Sequence, residues 1–323
     1  MSKVSVVIPC YNSEKEIKRC LDALEIQRFR DFDVILVDDF SKDSTVAVIE
    51  KYQYSYSFPI YLIRNKTNLG PSISRKIGIT ASSSEYIAFC DADDWYAPDF
   101  LSTMNELTVT SNADVAVCGF RMVNEDNREI SSVSFASTIY TNIKKALVLN
   151  VDSLWLLWVK REIMLHIPYP DIRNGEDMAI IPLIFSKAKK IAVTDSILYN
   201  YFCRIGSAST SPSMKVVNSL LQSFNYICQN MPQEYEKEVE YIGIRNVVYG
   251  ALLNLFKISF DKQKAVEIME YFNKEYPSWV SNPYYISELP RYKFAFVFAV
   301  QRRWFWMARI MALAHSKLIG AKS

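Results

Sequence analysis

Three carboxylates fall within four residues in the stretch Phe89-Cys90-Asp91-Ala92-Asp93-Asp94-Trp95. Packing Asp91, Asp93 and Asp94 so closely costs repulsion unless a cation is near, and hard divalent ions such as Mg²⁺ or Mn²⁺ prefer carboxylate oxygens. Such an ion completes its shell with substrate phosphates and water, so a D-x-D turn predicts a nucleotide diphosphate held through a metal. The bland role for the same residues is a solvated acidic turn in which Asp94 or Asp99 caps the following helix, because so short a motif is weak by itself. A second acidic pair, Glu176-Asp177, follows Arg173-Asn174-Gly175 and precedes the apolar run Met178 to Phe185. Acids that open a helix favour the positive end of its dipole; the alternative is a general base that takes a proton from an acceptor hydroxyl.

The elements that must position these groups alternate along the chain. Val4 to Ile8 is a buried strand ended by Pro9, and Ser13 with Glu16 makes a capping-box pattern before a helix bearing Ile17, Leu21 and Leu24. Val34 to Val37 is a second strand running into Asp38-Asp39, and Ile60 to Ile63 is a third, after which Pro71 opens another helix. Tyr86 to Cys90 is the fourth strand, ending at the acidic turn. Strand alternating with helix predicts an α/β fold around a mostly parallel sheet flanked by helices. Parallel sheets bind ligands outside the carboxyl ends of their strands, so Pro9-Cys10-Tyr11-Asn12, Asp38-Asp39 and Asp91 to Asp94 are expected to share one crevice. No G-x-G-x-x-G follows the first strand, which argues against a dinucleotide held by a glycine-rich loop. Asp38 and Asp39 instead offer hydrogen bonds to a base or ribose and Tyr11 offers a ring; the other account of the pair is helix capping.

Beyond Pro98 the pattern predicts a helix through Phe100 to Leu107, a strand at Val115 to Cys118, looser sequence from Arg121 to Ile139 that suits hairpins or a mobile loop, and an apolar Leu154 to Val159 run suited to the core or to an aromatic lining for a sugar acceptor. Ile197 to Cys203 reads as a strand followed by Arg204, suited to a phosphate or a salt bridge. From about Met214 helices dominate, over Val216 to Cys228, Val239 to Ile258 and Ala265 to Tyr276. A domain over 1–210 and a helical region over 211–323 are therefore expected.

Composition narrows the function classes. In 323 residues half are hydrophobic and the net charge is +2, so a sizeable core forms and the chain is not the strongly basic object a general nucleic-acid binder would be. Cysteines at 10, 20, 90, 118, 203 and 228 form no C-x-x-C pair, and with only His166 and His315 a structural zinc site is not expected. Buried free thiols in a reducing compartment account for them. The strand directly after Met1-Ser2-Lys3 predicts no cleavable signal peptide, and no apolar run reaches the ~20 residues needed to span a bilayer. Arg291 to Ser323 contains seven Lys or Arg and no acid. On one continuous helical wheel Arg291, Arg302 and Arg309 share a face beside Phe, Trp, Ile and Leu side chains, which predicts a basic amphipathic helix on an anionic membrane surface, or else one packed on its own domain or a protein partner.

Five pieces, in this order and spacing, resemble the inverting, nucleotide-sugar-dependent glycosyltransferases of family 2, with the GT-A (Rossmann-like) fold. They are Val4 to Asn12, Val37-Asp38-Asp39-Phe40-Ser41, Asn68-Leu69-Gly70-Pro71-Ser72 with Arg75 and Gly78, Asp91-Ala92-Asp93-Asp94, and Gly175-Glu176-Asp177. The resemblance covers about residues 1–205. It implies that Pro9 and Tyr11 border the base, that Asp39 bonds it with Asp38 beside it, that Arg75 approaches the donor phosphates, and that Asp91, Ala92 and Asp93 contact the donor. Mn²⁺ or Mg²⁺ would be held by Asp93 and Asp91. Asp177 would deprotonate the acceptor hydroxyl, with Glu176 positioning acceptor or base. A bacterial cell-surface polysaccharide enzyme is implied, taking a UDP-sugar to a glycan or lipid-linked glycan at the cytoplasmic face of the membrane; separately, the aromatic-rich helices after residue 214 leave surface for a homodimer. Two departures stand out: Lys76 where many relatives have Asn, and Ile205-Gly206 where several place a histidine near the metal. A nucleotidyltransferase lacks its lysine- and glycine-rich amino-terminal signature here, and a non-catalytic nucleotide-sugar-binding subunit is opposed by the intact acids at 91, 93 and 177.

Overall fold

The computed structural model describes residues 2–172, 175–203 and 212–320. The chain divides into two compact units, Met1–Ala146 with Val151–Arg204, and Leu147–Asn150 with Ile205–Ser323. Arg173, Asn174 and the stretch from Arg204 to Ser207 singled out in the sequence lie outside the described residues.

In the first unit β1 (Val4–Cys10), α1 (Ile17–Glu25), β2 (Phe32–Asp38), α2 (Thr45–Tyr52), β3 (Ile60–Arg64), α3 (Pro71–Ala81) and β4 (Tyr86–Phe89) follow the expected alternation. Then come β5 (Trp95–Tyr96), α4 (Phe100–Ser111), β6 (Val115–Val123), β7 (Glu129–Val133), β8 (Thr138–Tyr140), α5 (Ile143–Leu147), β9 (Leu157–Lys160), α6 (Arg161–Leu165), α7 (Glu176–Lys187) and β10 (Ile191–Phe202). One sheet runs in the order β3-β2-β1-β4-β9-β6-β10-β5, with β7 on β6 and β8 on β10. β1, β2, β3 and β4 are mutually parallel, as are β6 and β10. Every residue of β2 is buried, the pattern of a strand covered on both faces. Gly78 lets α3 lie close on β1, because a Cβ there would stand 2.5 Å from Val7 Cγ1.

Three local expectations change. β1 runs through Pro9 to Cys10, since β4 pairs with it only as far as Val7 and no ladder donor is demanded on that side. The capping box does not form: Ser13 O, not its hydroxyl, accepts from Glu16 N–H (3.1 Å), while Ser13 N–H donates to Thr45 Oγ1 (2.7 Å). The Leu154 to Val159 run is buried as expected, but it splits into a 3₁₀ turn and β9, which lies antiparallel between β4 and β6.

The second unit is helical: α8 (Met214–Asn230), α9 (Glu236–Gly243), α10 (Leu252–Ile258), α11 (Lys262–Glu275), α12 (Pro283–Ser287), α13 (Arg291–Gln301) and α14 (Phe305–Gly320). α9 and α10 are joined by a π-helical segment, Ile244–Ala251, within the single helix expected over 239–258. No helix among the described residues is long and apolar enough to cross a membrane. The single basic helix expected near the end is instead two helices. Arg303 adopts φ 57°, breaking the helix between Gln301 and Phe305. The guanidinium of Arg309 donates to Phe256 O in the last turn of α10, so its charge serves a helix end and leaves the proposed basic strip.

Candidate active site

Because β1, β2 and β4 run parallel, their carboxyl ends emerge on one edge of the sheet. Backbone bonds tie the exits together: Asp39 N–H donates to Cys10 O (2.8 Å), Asn65 N–H to Asp38 O (2.8 Å) and Cys90 N–H to Val7 O (3.3 Å). Side chains stitch the loops above them, Asn12 N–H donating to Ser41 Oγ and Lys42 N–H to Asn12 Oδ1. Asn12 and Phe40 take φ of 52° and 66°, and an aromatic residue in that region is backbone strain that only surrounding bonds maintain. Tyr11 is half exposed and Pro9 partly so, leaving both available to a ligand.

Asp38 and Asp39 are both buried. Asp38 Oδ1 accepts from Ser41 N–H (3.3 Å). Asp39 Oδ1 accepts from Asn65 Nδ2 (2.9 Å) and Leu69 N–H (2.8 Å), and its Oδ2 from Gly70 N–H (2.8 Å). A carboxylate has about four acceptor directions. Asp39 therefore moulds the loop that leads into α3 and keeps one acceptor direction without a protein donor among these bonds.

The acidic turn is not three equivalent ligands. Asp94 is 1% exposed, accepts from Tyr199 O–H (2.7 Å) and Phe202 N–H (2.7 Å), and is pushed well above the usual carboxylate range by burial, then by Asp93 and Asp91. Tyr199 Oη also accepts from Asp91 N–H (3.1 Å), so one buried phenol braces both ends of the turn. Neither Asp94 nor Asp99 caps α4 through its side chain; Asp99 pairs with Arg28 at 3.0 Å. Ala92 is buried under the turn, whereas Asp91 and Asp93 are partly exposed. Asp93 O accepts from Arg19 Nη2 (2.6 Å), and that guanidinium lies over the Trp95 ring at 4.2 Å and the Phe202 ring at 4.1 Å. No group of three or more metal-ligating side chains stands together among the described residues. Mg²⁺ or Mn²⁺ needs only one or two carboxylates beside phosphate and water, and partly exposed Asp91 and Asp93 fit that donor set.

Glu176 and Asp177 join this edge through Arg75. Gly175, at φ 80°, turns the chain into α7 and delivers both acids in its first turn. Arg75 is 4% exposed; Nη2 lies 2.7 Å from Asp91 Oδ1, and Nη1 lies 2.8 Å from Glu176 Oε1 and 3.0 Å from Asp177 Oδ1. Burial alone would lower the guanidinium pKa, but Asp177, Asp91 and Glu176 outweigh it and hold the charge firmly. Arg75 was expected at the donor phosphates; here its Nη atoms pair with Asp91, Glu176 and Asp177. Asp177 Oδ2 accepts from Leu154 N–H (2.9 Å). Burial raises the Asp177 carboxyl to about 7, with Arg75 opposing and Glu176 and Asp91 adding to the rise. A fixed carboxylate with a pKa near neutrality is suited to take a proton from a hydroxyl. Sequence reasoning missed Tyr199, Leu154 N–H and Arg19; Trp155 stacked on Tyr199 (4.2 Å, 16°) shows that the apolar run supports the site from beneath.

Residues 5–164 match the family described as Glycosyl transferase family 2. The chain is 28% identical over 208 residues to the poly(ribitol-phosphate) beta-glucosyltransferase of Bacillus spizizenii, covering 62% of this chain and 32% of the relative. It is 29% identical over 234 residues to the cholesterol galactosyltransferase of Borreliella burgdorferi, covering 66% of this chain and 63% of the relative. The chain thus spans between about a third and under two thirds of the length of these curated relatives. Among solved structures it resembles S. aureus TarS 1-349 in complex with UDP, with TM-score 0.69 and 19% identity over 98% of this chain and 91% of that one. That likeness shows the fold: the GT-A arrangement with a helical carboxyl-terminal region.

Proposed function

We propose, from the match of residues 5–164 to the family described as Glycosyl transferase family 2, that the chain moves a sugar from a nucleotide-diphosphate donor, a UDP-sugar, to a hydroxyl of a glycan or lipid-linked glycan, with inversion. The observation that carries this reading is Asp177, held at both oxygens by Arg75 and Leu154 N–H with a pKa near 7, on the edge where Asp91 and Asp93 stand. The names of relatives acting on poly(ribitol-phosphate), and a TarS structure holding UDP-GlcNAc, support a cell-surface polymer and a uridine donor.

In this mechanism Tyr11 and Pro9 border the base, and Asp39, with Asp38 beside it, bonds it. Asp91, Ala92 and Asp93 line the diphosphate and sugar. Asp91 and Asp93 would hold Mn²⁺ or Mg²⁺, which supplies positive charge to the departing diphosphate. Asp177 accepts the proton of the acceptor hydroxyl as that oxygen attacks the anomeric carbon from the face opposite the diphosphate, which inverts the centre. Glu176 shares Arg75 with Asp177 and orients base or acceptor. The side chain of Asp177 is 15% exposed, enough for a hydroxyl to reach it while bulk water is largely kept away. With a lipid-linked acceptor the enzyme would work at the cytoplasmic face of the membrane.

The test is release of nucleoside diphosphate from UDP-, GDP- and dTDP-sugars with Mn²⁺ and lipid-linked acceptors, comparing the natural protein with Asp93→Ala and Asp177→Asn. Release from one donor, lost in both variants, is expected. Tight nucleotide binding with no transfer to any acceptor would instead favour a non-catalytic subunit.

A further inference from the structure

We propose that the outward face of α14, with the corner that precedes it, inserts into the interface of an anionic lipid bilayer. This deepens the proposed function by naming the surface that would hold the enzyme at a lipid-linked acceptor, while the observations behind it lie in α14 and not in the transfer site. α14 buries Phe305, Ala308 and Ala312, whereas Trp306, Ile310 and Leu313 are 62%, 58% and 41% exposed. Those three sit at i, i+4 and i+7, one stripe of a helix. A soluble surface rarely leaves so large an aromatic and aliphatic stripe in water without a partner.

Its surroundings select the partner. The stripe begins beside Trp304, which is 46% exposed, and beside exposed Arg302 and Arg303. The φ of 57° at Arg303 makes the corner that puts these cations and Trp304 at the start of α14. Tryptophan rings settle at the headgroup boundary, aliphatic side chains go just below it, and arginine stems extend back to phosphates. No acid occurs from Arg291 to Ser323, so nothing in this segment repels anionic headgroups. At 16 residues α14 is about 24 Å long, shorter than the ~30 Å hydrocarbon core, so it lies in the interface plane. Arg309, spent on Phe256 O, takes no part.

The experiment is sedimentation of the full chain with phosphatidylglycerol/phosphatidylcholine vesicles and with phosphatidylcholine alone, with light scattering of the protein by itself. Binding to the anionic vesicles is expected, with partitioning reduced roughly tenfold or more in a Trp306→Ser, Ile310→Ser, Leu313→Ser variant. An Arg302→Glu, Arg303→Glu variant should lose a similar factor on anionic vesicles only. All three changes in the first variant are at exposed positions, and an unchanged melting temperature checks its fold. Wild-type partitioning by the triple-serine variant, or no vesicle binding by the natural protein, overturns the proposal. So does a dimer that the triple-serine variant converts to monomer while neither protein binds vesicles. UDP binding measured alongside separates this result from the donor reading, since neither variant changes a residue assigned to the crevice.

Discussion

Arg75 Nη1 lies 3.0 Å from Asp177 Oδ1, across 102 residues of sequence, and both side chains are largely shut off from water. The same guanidinium holds Asp91, so the group assigned to the donor and the group assigned to the acceptor share one buried cation. In the proposed mechanism Arg75 is a positioning residue: it pairs with both carboxylates and opposes the rise in the pKa of one of them.

Arg75→Met removes that cation from three carboxylates. Breaking a buried ion pair from one side costs about 3–5 kcal/mol, so a large drop in denaturant midpoint is expected. The Asp177 pKa moves further up without Arg75, shifting the rising limb of the transfer-versus-pH profile to higher pH. Arg75→Lys should restore part of both. A variant with lowered stability but an unmoved pH limb would confine Arg75 to a structural role.

Asp177→Asn keeps the contacts to Leu154 N–H and the shape of the pocket while removing the basic oxygen. Transfer should fall by about 10²–10⁴, with donor affinity retained, as expected for loss of general base catalysis. Single-turnover transfer and calorimetric UDP binding on the same preparation give both readouts.

The raised Asp177 pKa has a sign for stability as well as for rate. Transfer should climb as pH rises through about 7, since the base must be unprotonated. The folded pKa is above the unfolded value of about 3.9, so the folded state binds the extra proton. Its contribution to stability is complete below about pH 4 and is lost as pH rises through about 7. Melting temperatures from pH 5 to 8 should therefore fall less steeply in Asp177→Asn than in the natural protein.

Tyr199→Phe takes away the hydroxyl that accepts from Asp91 N–H and donates to Asp94 Oδ2. Each buried group left unpaired costs about 1–3 kcal/mol. Weaker Mn²⁺-dependent UDP binding, by roughly tenfold, is expected from the loosened turn, and isothermal titration measures it.

Asp39→Ala strips the acceptor from Asn65 Nδ2, Leu69 N–H and Gly70 N–H at once. The loop before α3 should lose protection in amide hydrogen exchange, and UDP affinity should fall with it. Retained protection at Leu69 and Gly70 would show that the loop is held by other bonds.

What the sequence by itself determined is whatever depends on neighbours along the chain. Continuous apolar runs marked β1, β2 and β4 because strands buried on both faces leave no polar positions, and parallel order then placed Tyr11, Asp38 and Asp91 on one edge. Asp91-Ala92-Asp93-Asp94 and Glu176-Asp177 were visible as chemistry because like charges so close demand a reason. Tertiary structure alone decided how those acids divide their work. Asp94 is spent on Tyr199 and Phe202, contacts 105 and 108 residues away, and no local pattern encodes a partner at that distance. Arg75 was expected at phosphates because a cation beside a donor crevice has that obvious use; only packing showed its Nη atoms enclosed by three carboxylates. The last helices failed on the wheel for a backbone reason: one residue at positive φ, Arg303, ends the helical phase, so Arg302 and Arg309 never share a face. Periodicity reads a phase only while the helix continues, and long-range contacts decide where a charge finds its partner.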